Sequence, residues 1–457
     1  MAGGIFTTKT EVLPGAYINV KAALAPALNT SGTVGTVFVY RDKNNWGEHG
    51  VIEVTPKSDF IALFGTSLYD DSMVGLRQVF AHATKAYVFN INLGTAAKLE
   101  AAAVDCPWDI EAIYPGTFGN GITVTITPSA VTGTGWIVQT ATNGNIVDTQ
   151  RVFEAGKIRN NKFVKFEPRQ TAGTLLDAIQ NSVVFHLTGG QTTPSNGNST
   201  VDRDFYLALE AYDYNTMVAP DNGDDDTIHG ILAAAAIRLR DEQGREVQAV
   251  VPNNTSINRY NNEGVIEVGN SVKMEDGSKL FIYQFCGFIA GATAAATDNV
   301  SLTYARVEGA IAAEPALTDE ATLASIREGM LVVRATRNFV RIEMDINSLV
   351  DVTGTDKSTF FAKNRVMRVL DSFRNWVRMT WEDNFVGKVT NNASGRDLLK
   401  ARIASYLAEA EGRGAIQDFK VEDITVEAGN TKDSVDVTVA MTPADSMEKL
   451  YLVINVN

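Results

Sequence analysis

Mixed α/β layering in several domains is the fold class this chain predicts, and three features of the sequence predict it. Residues 33–92 alternate strand-like runs ("TVGTVFVY", "GVIEV", "KAYVFNIN") with helical ones, the order expected of stacked sheet and helix layers. Residues 108–188 turn to short β-like runs between Gly, Asn and Thr turns. The last quarter carries two long amphipathic helices and then three strands. The organisation expected is an extended N-terminal arm at 1–20, an α/β core in two parts at 21–107 and 191–343, a β-rich insertion at 108–190, a C-terminal α+β domain at 344–447 and a last strand at 448–457. With 457 residues, 45% of them apolar, the chain can bury a core in each of roughly three domains.

The elements follow from local chemistry. Pro14-Gly15 supplies a type II turn, because proline presets the first φ and glycine accepts the positive second one. Beyond it Ala16, Ile18 and Val20 share one side of a short strand. In "KSDFIALFG" the apolar face of Phe60, Ile61 and Phe64 runs into Gly65, the residue that most easily ends a helix in the left-handed conformation. "SMVGLRQVFAHA" is a second helix. The insertion shows "GITVTITP", "GWIVQTAT" and "KFVKFEP" as strands, and "TGGQTTPSNGNST" has linker composition. Then come a helix at "GILAAAAIRLRDEQG" and strands at "EVQAVVP", "GVIEVGN" and "FVRIEMDI". Val366, Val369, Leu370, Phe373, Trp376 and Val377 form one stripe of the helix "KNRVMRVLDSFRNWVR". Leu399, Ile403, Tyr406, Leu407 and Ala410 share a face of "DLLKARIASYLAEAEG", which stops at Gly412. Three strands close the chain: "FKVEDITVE", "SVDVTVA" and "KLYLVINV".

The totals exclude some classes of function. A formal charge of −14 argues against a general nucleic-acid or anionic-membrane surface. Cys106 and Cys286 are the only cysteines, so there is neither a disulfide framework nor a paired-cysteine metal spacing, and a reducing compartment is the simplest reading. "MAGGIFTTKTEV" lacks a basic region followed by an apolar core, which predicts no secretion signal, and "FCGFIAGATAAA" falls well short of the ~20 residues that span a bilayer.

A search for catalytic chemistry is largely empty. There is no G-x-x-x-x-G-K-[ST] phosphate loop, no G-x-S-x-G nucleophile turn and no H-E-x-x-H metal helix. His49, His82, His186 and His229 sit singly, as surface or satisfied core histidines do. "PGTFGNGI" leads into a strand, so it offers no helix N-terminus to a pyrophosphate and reads as a turn. "DNGDDDT" clusters carboxylates suited to calcium but lacks the twelve-residue loop spacing, so a solvated loop is favoured. No catalytic residue, cofactor or metal is therefore expected.

Two charge blocks stand out. Between 202 and 228, eight acids face Arg203 alone: Asp202, Asp204, Glu210, Asp213, Asp221, Asp224, Asp225 and Asp226. Between 363 and 378, Lys363, Arg365, Arg368, Arg374 and Arg378 face only Asp371. The basic block is either the solvated side of an amphipathic helix or a seam to an acidic partner surface, and such asymmetry suits head-to-tail contact between copies. The ending "MEKLYLVINVN" raises a similar alternative. Its two apolar faces fit a strand covered on both sides, supplied either by its own subunit or by a neighbour.

A set of stretches, in order and across essentially the whole chain, resembles the contractile tail sheath proteins of bacteriophages and phage-tail-like particles. They are "LPGAYINV", "SDFIALFG" followed by "LRQVFAHATKAYVFNI", "AIYPGTFGNGITVTI", "EGVIEVGN", "SLTYARVEGA", "MDINSLV", and "RVMRVLDSFRNWVRM" leading to "NFVGKVTNN". No one of them is specific; their order and spacing carry the resemblance. It implies a structural, non-enzymatic protomer that polymerises as stacked six-subunit rings around a tail tube and contracts to drive the tube through a cell envelope. The partners implied are copies of itself, the tube protein, and baseplate and tail terminator proteins, with no direct nucleic acid and no membrane insertion. The location implied is the tail of a virion or tail-like particle assembled in the host cytoplasm. It further implies that arms exchanged between subunits complete a small sheet in each neighbour's C-terminal domain, using "FKVEDITVE" and "SVDVTVA". The N-terminal arm would involve Ile5, Phe6, Val12, Ala16, Ile18 and Val20. The C-terminal arm would be Lys449, Leu450, Tyr451, Leu452, Val453, Ile454, Asn455 and Val456. The polar "TTKTE" at the centre of the N-terminal arm departs from the family pattern, and the β-rich segment lies where that family varies most. Against this reading stand a cytosolic α/β enzyme with dispersed catalytic residues and a self-assembling capsid-like or cell-surface protein.

Overall fold

Strands buried along their whole length need cover on both faces, and "TVFVYR", "QAVVP" and "VIEV" are buried at every position, Arg41, Gln248 and Glu267 included. The structure, a computed structural model, describes residues 2–4, 15–17, 35–42, 44–129, 135–193, 199–223, 226–253, 260–337 and 339–454. They fall into two compact units, one drawn from 1–39, 75–86 and 212–457, the other from 40–74 and 87–211.

In the first unit β1 (Thr36–Arg41), β2 (Thr216–Val218), β3 (Gln248–Pro252), β4 (Val265–Val268) and β5 (Met330–Leu331) lie side by side in chain order. All four pairings are parallel, with Met217 opposite Phe38 and Ala249, Val250 opposite Ile266, and Glu267 opposite Met330. Parallel neighbours require long crossovers. Helix α1 (Asp226–Gln243) links β2 to β3, and α2 (Ile282–Ala295) lies between β4 and β5. Helix α2 contains the most apolar run in the sequence, and its residues 285–294 are buried. Two glycines explain how it fits: a Cβ on Gly291 would sit 2.2 Å from the Val79 carbonyl, and one on Gly287 2.7 Å from that of Gly75. Only a missing side chain lets the Val74–Val79 helix lie so close.

The C-terminal part of this unit is built on α3 (Asn364–Asn384) and α4 (Ala393–Gly412), followed by an antiparallel hairpin of β6 (Ile424–Ala428) and β7 (Val435–Val439). The stripe expected on α3 divides its work. Val366, Val369 and Leu370 pack with Leu349 and Phe361, whereas Phe373, Trp376 and Val377 pack against α4. On α4 the buried residues are Leu399, Ile403, Tyr406, Leu407 and Ala410, the predicted face. The Trp376 and Tyr406 rings stack with centroids 4.3 Å apart. The α4 start is set by Asn392, whose side chain accepts from Gly395 N at 2.8 Å.

The second unit is dominated by a seven-stranded antiparallel sheet, in the order 145–152, 136–142, 122–128, 183–188, 96–99, 108–115, 164–168. Alternation sends Trp108, Ile110 and Ala112 inward, as it does Ile122, Val124 and Ile126. The "FIALF" helix ends where expected, with Asp59 accepting from Ala62 N and Gly65 at φ 73°. "PGTFGNG" holds a short 3-10 helix, Thr117–Gly121, rather than a simple turn, and it leads into the 122–128 strand; Gly116 before it adopts φ 119° with its backbone so close to Asn45 that a Cβ would lie 1.9 Å from the Asn45 carbonyl. The unit therefore holds the β-rich stretch together with 40–74 and 87–107.

Candidate functional site: the basic helix and the chain ends

Two features of the first unit carry the sequence-predicted residues, and they behave in opposite ways. The basic helix is turned inward. Arg365, Arg368, Arg374 and Arg378 are each less than a tenth exposed. Arg368 meets Asp345 and also donates to the Val300 carbonyl at 2.9 Å. The Arg374 guanidinium lies 2.8 Å from Glu246, and Arg378 lies 3.3 Å from Asp213 and 3.5 Å from Glu382. Arg365 donates to Ser446 Oγ at 2.7 Å, and Lys363 reaches both Asp445 and Glu448. In place of an exposed cationic seam, the block forms an internal one with acids of its own chain. The physical reason is geometric: these residues lie beside the apolar stripe, on flanks that face the parallel sheet and its connections.

The seam continues through a buried quartet. Arg240 on α1 makes a two-pronged contact with Asp371 on α3, each bond 2.8 Å, and lies 3.0 Å from Glu246. Asn375 bonds the Glu246 backbone at both its N–H and its carbonyl, at 3.1 Å each. Gln248 on β3 donates to Asn364 at 3.1 Å, and Asn364 in turn donates to Asp345 at 3.1 Å. Burial pushes the Glu246 carboxyl up to about 7, opposed by Arg374 and Arg240. Burial alone would lower Arg240, but Asp371 and Glu246 outweigh it and hold the guanidinium firmly charged. Beside the quartet is a polar cavity of about 40 Å³, bordered by Glu246, Thr293 and Arg368 among others. It has room for water, not for an organic substrate, whose sites run to roughly 300–1,000 Å³. Asp371 and Glu382 lie on the helix itself, but Asp213, Glu246 and Asp345 are distant from it in sequence, so no local pattern pairs them with its arginines.

The C-terminal segment is turned outward. Leu450, Tyr451, Leu452, Val453 and Ile454 are 70–88% exposed, and 449–454 pairs with no strand among the described residues. The third strand expected of the closing sheet is thus absent from the chain's own hairpin among the described residues, and β6 and β7 form a sheet of two. Two strands alone leave an edge on each side. Asn455 and Val456 lie outside the described residues. At the other end Ala2–Gly4 pairs in parallel with Gly15–Tyr17, placing Ala16 opposite Gly3. Ile5, Phe6, Val12, Ile18 and Val20 lie outside the described residues, as do Pro14, Asp224 and Asp225.

Among the described residues no three His, Cys, Asp or Glu side chains are grouped to hold a metal ion, and no helix is long and apolar enough to cross a membrane. Both cysteines are buried and free, and burial raises both thiols.

Comparison with known proteins converges on one family. The phage tail sheath protein central domain matches residues 199–348, and the phage tail sheath C-terminal domain matches 356–457. The phage-like element PBSX protein XkdK of Bacillus subtilis (strain 168) is 29% identical over 482 residues, covering 100% of both chains. The sheath tail protein of Desulfitobacterium hafniense is 30% identical, with a TM-score of 0.76 over 96% of this chain and 99% of that one. The helical sheath of the anti-feeding prophage in its contracted state shares the fold at 13% identity, with a TM-score of 0.56 over 98% of this chain and 100% of that one.

Proposed function

This chain belongs to the phage tail sheath proteins and is a structural protomer of that family; from that premise we propose that it polymerises helically around a tail tube and contracts to drive the tube through a target envelope. Its place is a phage or phage-tail-like particle. We further infer that copies of itself, a tube protein, and baseplate and terminator proteins are its partners, and that assembly occurs in the host cytoplasm.

The observation that carries the proposal is the exposed apolar run Leu450–Ile454. Fully burying a large apolar side chain is worth roughly 1.5–3 kcal/mol; this chain leaves five such side chains in water, and among the described residues its β6–β7 hairpin is a sheet of two with unpaired edges. Adding residues 449–456 of one copy as a strand on the β6–β7 hairpin of the next would bury the run and satisfy edge N–H and C=O groups. The same exchange applies to the N-terminal arm through Ile5, Phe6, Val12, Ala16, Ile18 and Val20. Because donor and acceptor patches differ, the contact is heterologous, and in a geometry whose rotation does not close it propagates as a helix. Contraction then needs two packings of the same subunits separated by a barrier, with the energy stored at assembly and no nucleotide required.

The basic helix has a different share in this scheme. With its arginines engaged inside the subunit, it supports rigidity of the moving body; contact of Lys363, Arg365, Arg368, Arg374 and Arg378 with a tube or neighbour would require those internal pairs to open. Negative-stain microscopy of concentrated purified protein tests the proposal. Striated tubes, or addition of subunits to existing tubes, are expected. A persistently compact oligomer that turns over a substrate would overturn it.

A further inference from the structure

The segment that runs free from Lys449 is held firmly just before it departs. Glu448 accepts from Lys363 Nζ at 2.8 Å through Oε2 and from Thr303 Oγ1 at 3.0 Å through Oε1. The Lys363 ammonium also engages Asp445. Ser446 Oγ, between them, accepts from Arg365 Nη1 at 2.7 Å. Residues 445–448 are therefore gripped from two sides, by the start of α3 and by the 301–304 turn. The Glu448 side chain is 13% exposed and that of Lys363 20%, whereas Met447 and everything from Lys449 to Ile454 face solvent.

Lys363 is oddly placed for a helix. It occupies the N-cap of α3 and makes no side-chain cap bond, and a cation at the positive end of a helix dipole is unfavourable. Its carboxylate partners supply the negative charge that the helix start attracts. Burial opposes the ammonium, but the bonds from Asp445 and Glu448 outweigh it and raise its pKa. What Lys363 contributes at this position is its hold on Asp445 and Glu448, not support of the helix it begins.

We propose that Lys363, with Asp445 and Glu448, forms a clasp that fixes where and in which direction the C-terminal segment leaves the subunit, presenting it to a second copy of this chain rather than letting it fold back on its own hairpin. The inference rests on the strand-exchange reading above. A loose root would let a strand of about nine residues sample its own β6–β7 edges, and intramolecular pairing has the advantage of effective concentration. A gripped root narrows the directions the strand can sample and so reduces that advantage.

The test uses the full-length protein, its Lys363→Met and Lys363→Arg variants, and a truncation lacking 449–457. Hydrogen exchange by mass spectrometry reads the root through peptides spanning 441–448, with α4 peptides as the fold control, and negative-stain microscopy reads tube formation. In Lys363→Met, exchange at the root should rise at least tenfold while α4 stays protected, and tube yield should fall several-fold. Lys363→Arg should keep both near wild type. Unchanged exchange at the root in Lys363→Met would overturn the clasp, and so would raised exchange with undiminished tubes. If Lys363→Met loosens α4 as well, Glu448→Gln takes its place, with the same two readouts and the same two overturning results. A truncated chain that still forms normal tubes would instead overturn strand exchange itself, whatever the root does.

Discussion

Arg368, Arg374 and Arg240 are held in a subunit of strong negative charge by Glu246 from the link between α1 and β3, Asp345 from the segment before α3 and Asp371 on α3 itself. Removing one partner of a buried ion pair leaves the other charge without compensation, at a cost on the order of 3–5 kcal/mol. Arg368→Glu goes further, since it sets a second carboxylate against Asp345. Urea denaturation should show a loss at the upper end of that range, and an unchanged midpoint would mean that the guanidinium points to solvent. Glu246 predicts a pH signature. Its carboxyl is raised in the folded state to about 7 from an ordinary 4.5, so the folded chain binds this proton more tightly than the unfolded one. The resulting stabilisation is complete below about 4.5 and is lost as pH rises through about 7. The difference in unfolding free energy between wild type and Glu246→Gln should accordingly slope across that window and flatten above it. A slope of opposite sign would show that Arg374 and Arg240 dominate burial. These pairings were invisible in the sequence: five cations in sixteen residues announced a charged surface, but their partners lie up to about 165 positions away.

At the scale of elements, periodicity was legible wherever one face of an element is buried. The faces of α3 and α4 were read residue by residue, because a 3.6-residue repeat of large apolar side chains has few other uses. The closing strand was read only in part. Its two apolar faces do demand cover, but period-2 alternation carries no information on which chain provides it. Helix α2 offers a paired test of close packing. A Cβ at position 291 would clash with backbone at Val79, so Gly291→Ala should destabilise by about 1–3 kcal/mol despite the better helix propensity of alanine. Gly230 on α1 meets nothing within 4 Å, and Gly230→Ala should stabilise by roughly 0.5–1 kcal/mol. Thermal melts of the two variants should shift in opposite directions. If Gly291→Ala melts at or above wild type, the helix at 74–79 does not lie where these contacts require.

For the whole molecule, the subunit combines a body stiffened by buried charge with an ending that has no partner of its own among the described residues. That division suits a sheath, in which rigid bodies must change packing while remaining joined. Family membership was legible from the order of short stretches along the chain, none of them specific alone, and the matched central and C-terminal domains cover the later ones, within 199–348 and 356–457. Deleting 449–457 should leave the monomer's melting temperature within a degree or two of wild type, because exposed residues contribute little to their own fold. Failure of the truncated monomer to fold would return the strand to its own subunit. The most direct measurement is a helical reconstruction of the assembled protein by cryo-electron microscopy, traced through residues 441–457. The prediction is continuous density leaving one subunit at Glu448 and running as a strand along the β6–β7 hairpin of the next. Density that turns back to pair with the same subunit's hairpin would contradict the account.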